Sequence, residues 1–298
     1  MRWRKVAQVL LVQAVLFFLG LNIYRGWRDA SHFQWSVRPW PLAVSFILAL
    51  AFWFMTGIGW NVIVRCLEGG LTLRKGMKVY FLSNLGWYVP GKVWYAVGRA
   101  YLGQQEGVSV GVISTSLLME LILSLISSAW MATLALPLLS PLLGAKGLYL
   151  GIAILILGLA GLHPAVMRPL FTLLERLLPG LKGKGIGPPP LKYSVTMGLL
   201  AGYLFVWSFV GTAFFVMLNA VYPLPLAWAP PVVGIYAVSW MAGFLAPFAP
   251  SGLGVREGAM ILLLGQYLPV PAVTAAAILF RLWLILAEVL WAALATRW

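Results

Sequence analysis

The chain has 298 residues, 62% apolar and 9% charged, with Lys and Arg outnumbering Asp and Glu 21 to 7 for a net charge of +14. A soluble domain is roughly 45–50% apolar and 25% charged, and here the excess falls in runs of about 20 residues, the length that spans a bilayer. A soluble enzyme, a disordered chain and a nucleic-acid-binding domain are therefore excluded as whole-chain readings. The basic balance reads as membrane topology, since cytoplasmic loops of membrane proteins concentrate Lys and Arg, and no nucleic-acid partner is expected.

The first apolar run, residues 6–24, follows MRWRK like the core of a signal peptide. No small-x-small cleavage site follows it, and further spans do, so it is expected to be an uncleaved transmembrane helix. Residues 40–64, 109–136, 147–163 (short), 193–218 and 272–295 complete about six predicted spans. Two more stretches are apolar but broken: 77–101, with Pro90-Gly91 at its middle, and 230–268, which contains GFLAPFAPSGLGVREGAMILLLG. Proline and glycine free backbone groups that cannot face lipid, so both are predicted to be re-entrant helical hairpins. Residues 165–180 form a short amphipathic segment suited to the inner surface, and the basic KGKGIGPPP after it is a linker. The fold class expected is an all-α polytopic membrane protein, one domain over 1–298. Its first half is about 1–164, the linker region 165–192 and the second half 193–298.

With a cytoplasmic N-terminus and hairpins that return to their side of entry, thirteen Lys and Arg fall inside and four outside, with four more in or beside embedded segments. That split predicts cytoplasmic N- and C-termini in a cytoplasmic (inner) membrane. The halves share a layout. Pro90-Gly91 precedes Glu120 by 30 residues, and Pro250-Ser251-Gly252 precedes Arg281 by about as many. The first hairpin enters from the cytoplasm and the second from outside, the signature of an inverted repeat.

Cys66 is the sole cysteine, and His32 and His163 lie far apart, so no disulfide, metal site or cofactor is expected. Phosphate-cradling, zinc-protease and nucleophile-elbow motifs are absent, and Asp29 is the only Asp, against the clustered carboxylates of magnesium-dependent transferases. No catalytic residue is assigned.

A charge at the bilayer centre costs about 2.5–3.5 kcal/mol even on a lenient scale, yet Lys92, Arg99, Glu120, Arg256, Glu257, Arg281 and Glu288 sit near embedded segments. The surplus is positive. The Gly-rich turn before Val255 also opens a helix start, where amides favour an anion. Arg256 and Arg281 are expected to fork a phosphate, with Lys92 as a point charge. Glu120 and Glu257 would pair with these bases or accept a proton. A purely structural alternative pairs Glu120 with Arg281. Arg99 is expected to snorkel toward the inner surface, and Glu288 is the weakest candidate. Asn84 and Trp94, with Trp87 and Tyr88, line the first hairpin for headgroup contact or simple packing.

NLGWYVPGKVWYAVGR, LLMELILSL and above all FAPSGLGVREGAMILLL with LFRLWLILAE resemble the lysylphosphatidylglycerol synthase transmembrane, or flippase-like, family over essentially the whole chain. That family's first hairpin carries Gly-Glu after its Pro-Gly pair and basic residue. Val93-Trp94 stand there in this chain, so no carboxylate role transfers. The resemblance implies a membrane protein that binds or translocates a lipid with an anionic headgroup. Bifunctional members add a cytosolic aminoacyl-transfer domain. Because the chain ends at Trp298 directly after the last span, that domain and aminoacyl-lipid synthesis are not expected here.

The function expected is a lipid flippase holding a phosphate-bearing headgroup, or a polyprenyl-phosphate-linked sugar, between two hairpins. A metal-independent transferase or hydrolase on a lipid phosphate is one rival. A non-transporting partner of a glycosyltransferase is the other. The partners expected are the membrane lipid and a glycosyltransferase or other lipid-modifying enzyme.

Overall fold

The computed structural model describes Phe33 and residues 37–68, 70–88, 93–177, 187, 189, 191–246 and 249–298. The first predicted span, the Pro90-Gly91 turn and Lys92 lie outside these residues. Among those described, the chain is helical, without strands: α1 (Pro39–Glu68), α2 (Leu73–Asn84), a 3-10 turn (Leu85–Tyr88), α3 (Trp94–Gln105), α4 (Val110–Ala132), a 3-10 turn (Thr133–Ala135), α5 (Leu136–Leu143), α6 (Lys146–Gly161), α7 (Pro164–Leu177), α8 (Tyr193–Val221), α9 (Ala229–Leu245), a 3-10 turn (Pro250–Gly252), α10 (Val255–Leu264) and α11 (Val270–Ala295).

Among the described residues, five stretches are long and apolar enough to cross a membrane: Pro39–Leu67, Val110–Pro141, Tyr193–Val221, Leu226–Leu245 and Val270–Ala295. Four coincide with predicted spans. The fifth, α9 with the 3-10 turn before it, is the first arm of the stretch predicted to be a re-entrant hairpin, and by length it can cross alone. The predicted span 147–163 forms the 16-residue α6, about 24 Å of helix and short of a hydrocarbon core of roughly 30 Å. It reaches spanning length only with α7, from which it is bent by 74°.

Helix α8 is the central post. Fifteen of its 29 residues are buried, and it packs against α1, α4, α9 and α11. Helices α1 and α11 are tied by indoles donating to backbone carbonyls: Trp283 to Leu42 at 3.1 Å and Trp291 to Leu50 at 3.0 Å. Both partners advance by the same step and in the same sense, so the two helices run parallel. Lipid supplies no hydrophobic force between helices, so small residues and side-chain hydrogen bonds hold such bundles. Helix α6 illustrates this: Gly147, Gly151 and Gly158 are its buried residues, turned toward Leu136, Leu143 and Trp130. Its Leu148, Tyr149, Ile156 and Leu157 face outward.

Among the described glycines, the closest backbone approach is at Gly234 on α9, where an added Cβ would lie 2.3 Å from the Ala135 amide nitrogen. Backbone cannot give way as a flexible side chain can. Gly234→Ala is expected to destabilise the protein by about 1–3 kcal/mol, the cost of overpacking. Lowered thermal stability of the purified variant, beside an unaffected Gly202→Ala control on open space, is the measurement.

Candidate functional site

Helices α2 and α3 pack as a hairpin. Gly86 allows the approach, because a Cβ there would sit 2.6 Å from the Tyr95 amide nitrogen. The hairpin buries Arg99, which is 1% exposed. Its Nε donates to Ser83 Oγ at 3.1 Å, its Nη1 to Glu120 Oε2 at 2.5 Å, and its Nη2 to Asn84 Oδ1. The guanidinium carbon lies 4.3 Å from the Tyr80 ring centre and 4.9 Å from that of Trp60. Arg99 therefore does not snorkel to the surface. Its charge is balanced by Glu120 and its donors are taken up within the bundle, the arrangement a buried ion pair requires.

The second broken segment brings α9 and α10 together through Pro250–Gly252. Ser251, Gly252 and Gly254 have φ of 50°, 70° and 83°. A positive φ is costly for a side-chain-bearing residue, and Ser251 is held in it by Arg281, whose Nη2 donates to Ser251 Oγ at 2.8 Å and Ser251 O at 3.0 Å. Glu257 Oε2 accepts from the Gly254 amide at 2.7 Å. The start of α10, predicted to offer its amides to an anion, is thus capped by its own carboxylate.

Arg256 differs. Its stem lies on Gly243, where a Cβ would come within 2.4 Å of Arg256 Cγ. Its guanidinium sits 5.6 Å over the Trp240 ring, and its Nε is buried without a hydrogen-bond partner.

Among the described residues, Arg99, Glu120 and Arg256 are the charged ones lining an open cavity of about 150 Å³ between the halves. Asn84, Trp87, Tyr95, Tyr203, Trp240, Ser251 and Gly252 share its walls. Of the predicted site residues, Asn84, Arg99, Glu120 and Arg256 come together here. Arg281 stands behind the wall, shaping the turn that carries Ser251. Glu257 is a helix cap and does not line the cavity. Trp94 is half exposed, and the neighbouring Tyr95 takes the inward place, stacked on Trp87 at 4.0 Å. Lys92 lies outside the described residues. Glu120 pairs with Arg99 of its own half, which removes the pairing with Arg281.

Glu288, ranked weakest, is 1% exposed. It accepts from Tyr88 Oη at 2.5 Å, and its Oε1 is buried without a partner. Arg281 and Glu288 are seven residues apart on one face of α11, so this helix holds the turn regions of both broken segments. That spacing was visible in the sequence; the identity of the partners was not. Tyr88→Phe leaves the carboxylate with neither oxygen hydrogen-bonded and is expected to cost about 1–3 kcal/mol. Unfolding of purified Tyr88→Phe should come earlier than wild type, and Tyr88→Phe/Glu288→Leu should recover part of the loss.

These features define an integral membrane protein with a charged, aromatic-lined cavity at its centre. The chain belongs to the lysylphosphatidylglycerol synthase transmembrane-region family, whose model matches residues 5–292. No curated protein matches it.

Proposed function

We propose that the protein is a lipid flippase whose central cavity binds a phosphate-bearing headgroup, from a glycerophospholipid or a polyprenyl-phosphate-linked sugar. The observation that carries this reading is Arg256: a guanidinium on the cavity wall that makes no ion pair among the described residues. A largely buried charge without a counter-ion is expensive, and an anionic group in the cavity is the ligand that offsets it. Membership of a membrane family concerned with a charged phospholipid agrees with it. In this reading the two broken segments are re-entrant hairpins of an inverted repeat, opening the cavity alternately to each leaflet. Both termini face the cytoplasm of the inner membrane. Arg99, being satisfied internally, orients Glu120 and Asn84 rather than gripping the phosphate.

Reconstitution tests transport directly. Liposomes carrying the purified chain and a fluorescent phosphatidylglycerol should lose the inner-leaflet fraction protected from an impermeant quencher, faster than protein-free liposomes. Equal protection in both, with a polyprenyl-phosphate sugar probe also retained in its leaflet, would remove the transport reading and favour a scaffolding role.

A further inference from the structure

Away from the central cavity, α6 turns by 74° into α7. The corner is pinned to the start of α8: Tyr193 Oη donates to Leu159 O at 3.4 Å, and the His163 and Tyr193 rings lie 5.5 Å apart. Helix α7 buries Met167 and Phe171 against the bundle and exposes Val166 and Leu173, two turns apart, on another side. Arg168, between these faces, is exposed as well. A helix with one side on the bundle, one apolar side outward and a basic edge suits the plane of the membrane interface.

A second cleft, of about 360 Å³, opens at this corner and shares no lining residue with the central cavity. Its floor is apolar: Leu162 and Met167 are 1% and 4% exposed. Its rim carries Arg168 and Lys192, both open to solvent. Neither joins an ion pair among the described residues, and the described lining residues include no Asp or Glu. Two reachable cations over an apolar floor match an anion that is itself amphipathic. Lys and Arg at a membrane surface attract anionic headgroups, whereas a free phosphate makes no use of the floor.

We propose that this cleft is a second site, which docks an anionic phospholipid from the leaflet surface on which α7 lies. The phosphate sits between Arg168 and Lys192, and the glycerol-ester region covers Leu162 and Met167. The assignment holds whether or not the central cavity transports lipid. Both cations stay in contact with water, so this lipid exchanges with the leaflet and is released in detergent.

The experiment is photo-crosslinking of the full-length protein in phosphatidylcholine nanodiscs. These contain a trace of phosphatidylglycerol with a diazirine near its ester carbons, and adducts are mapped by peptide mass spectrometry. Wild type is expected to carry adducts on the α6–α7 corner and the start of α8. Arg168→Gln/Lys192→Gln, which alters exposed side chains alone, should lower them by about 30-fold, or about fivefold for each cation. Lys146→Gln, an exposed cation elsewhere, should leave them unchanged. Equal labelling by a phosphatidylcholine probe, or corner adducts that survive the double substitution, overturns the site. Loss of the adducts to excess glycerol phosphate overturns the lipid assignment in favour of a free phosphate. Adducts confined to central-cavity residues overturn this site and leave the flippase reading standing; corner adducts with none in the central cavity support this site and count against that reading.

Discussion

Arg99→Ala is expected to destabilise the protein by about 3–5 kcal/mol, the cost of removing one partner of a buried ion pair. The replacement strands Glu120, whose Oε2 now accepts from Arg99. It also leaves Ser83 and Asn84 without their shared donor and empties the space between Tyr80 and Trp60. Arg99→Lys should recover little, because an ammonium cannot reproduce a planar fork that bonds three partners and stacks on rings. Glu120→Gln should be milder, since an amide oxygen still accepts from Nη1. The double change Arg99→Met/Glu120→Met should cost less than Arg99→Ala alone, because it removes both charges rather than one. Apparent melting temperatures of the four purified variants provide the comparison. If Arg99→Ala melted with wild type, the pair would not hold the first hairpin to α4.

Arg256→Gln is expected to have the opposite profile, with stability kept or raised and ligand binding weakened by about 10- to 100-fold, the range for a lost hydrogen bond to a charged group. Removing a charge whose Nε is unpartnered relieves a buried cost. Only the ligand loses a partner. Arg256→Lys keeps the charge but not the fork and should fall between the two. Lipid-dependent thermal stabilisation separates the outcomes: wild type should melt higher with added phosphatidylglycerol, and Arg256→Gln should not respond.

Much of the fold was legible in hydropathy, because a span must satisfy its backbone internally and be long enough to cross. The runs 40–64, 109–136, 193–218 and 272–295 each contain or lie within a long helix. The helix break at Pro250-Ser251-Gly252 was equally visible, since this run cannot continue a regular ladder. Hydropathy does not report helix packing, so α6 read as a short span although it turns by 74° into α7. The same limit applies to α9, which is long enough to cross although it read as a hairpin arm.

The site was legible in its residue types and less so in its pairings. One ionisable residue per helix gives neither depth nor azimuth, so Glu120 could be matched to Arg281 as readily as to Arg99. Arg99 is buried because Trp60, Tyr80 and Tyr95, from three separate helices, converge on it, a coincidence that no local window contains. Two local signals of these roles stand in the sequence. Glu257 stands three residues after Gly254, the spacing of a capping carboxylate, and Glu288 stands two turns after Arg281 on the same helix face. Tyr203 lies in a long apolar run, and nothing nearby marks its hydroxyl as unpartnered.

The most direct measurement is the lipid content of the purified protein, wild type beside Arg256→Gln, by extraction and mass spectrometry after matched washing. Wild type should carry an anionic phosphate lipid in near-constant ratio to protein, and the equally folded Arg256→Gln should lose it selectively. The same unselective lipids on both proteins would contradict a phosphate-binding cavity and leave the buried charges as structural ties.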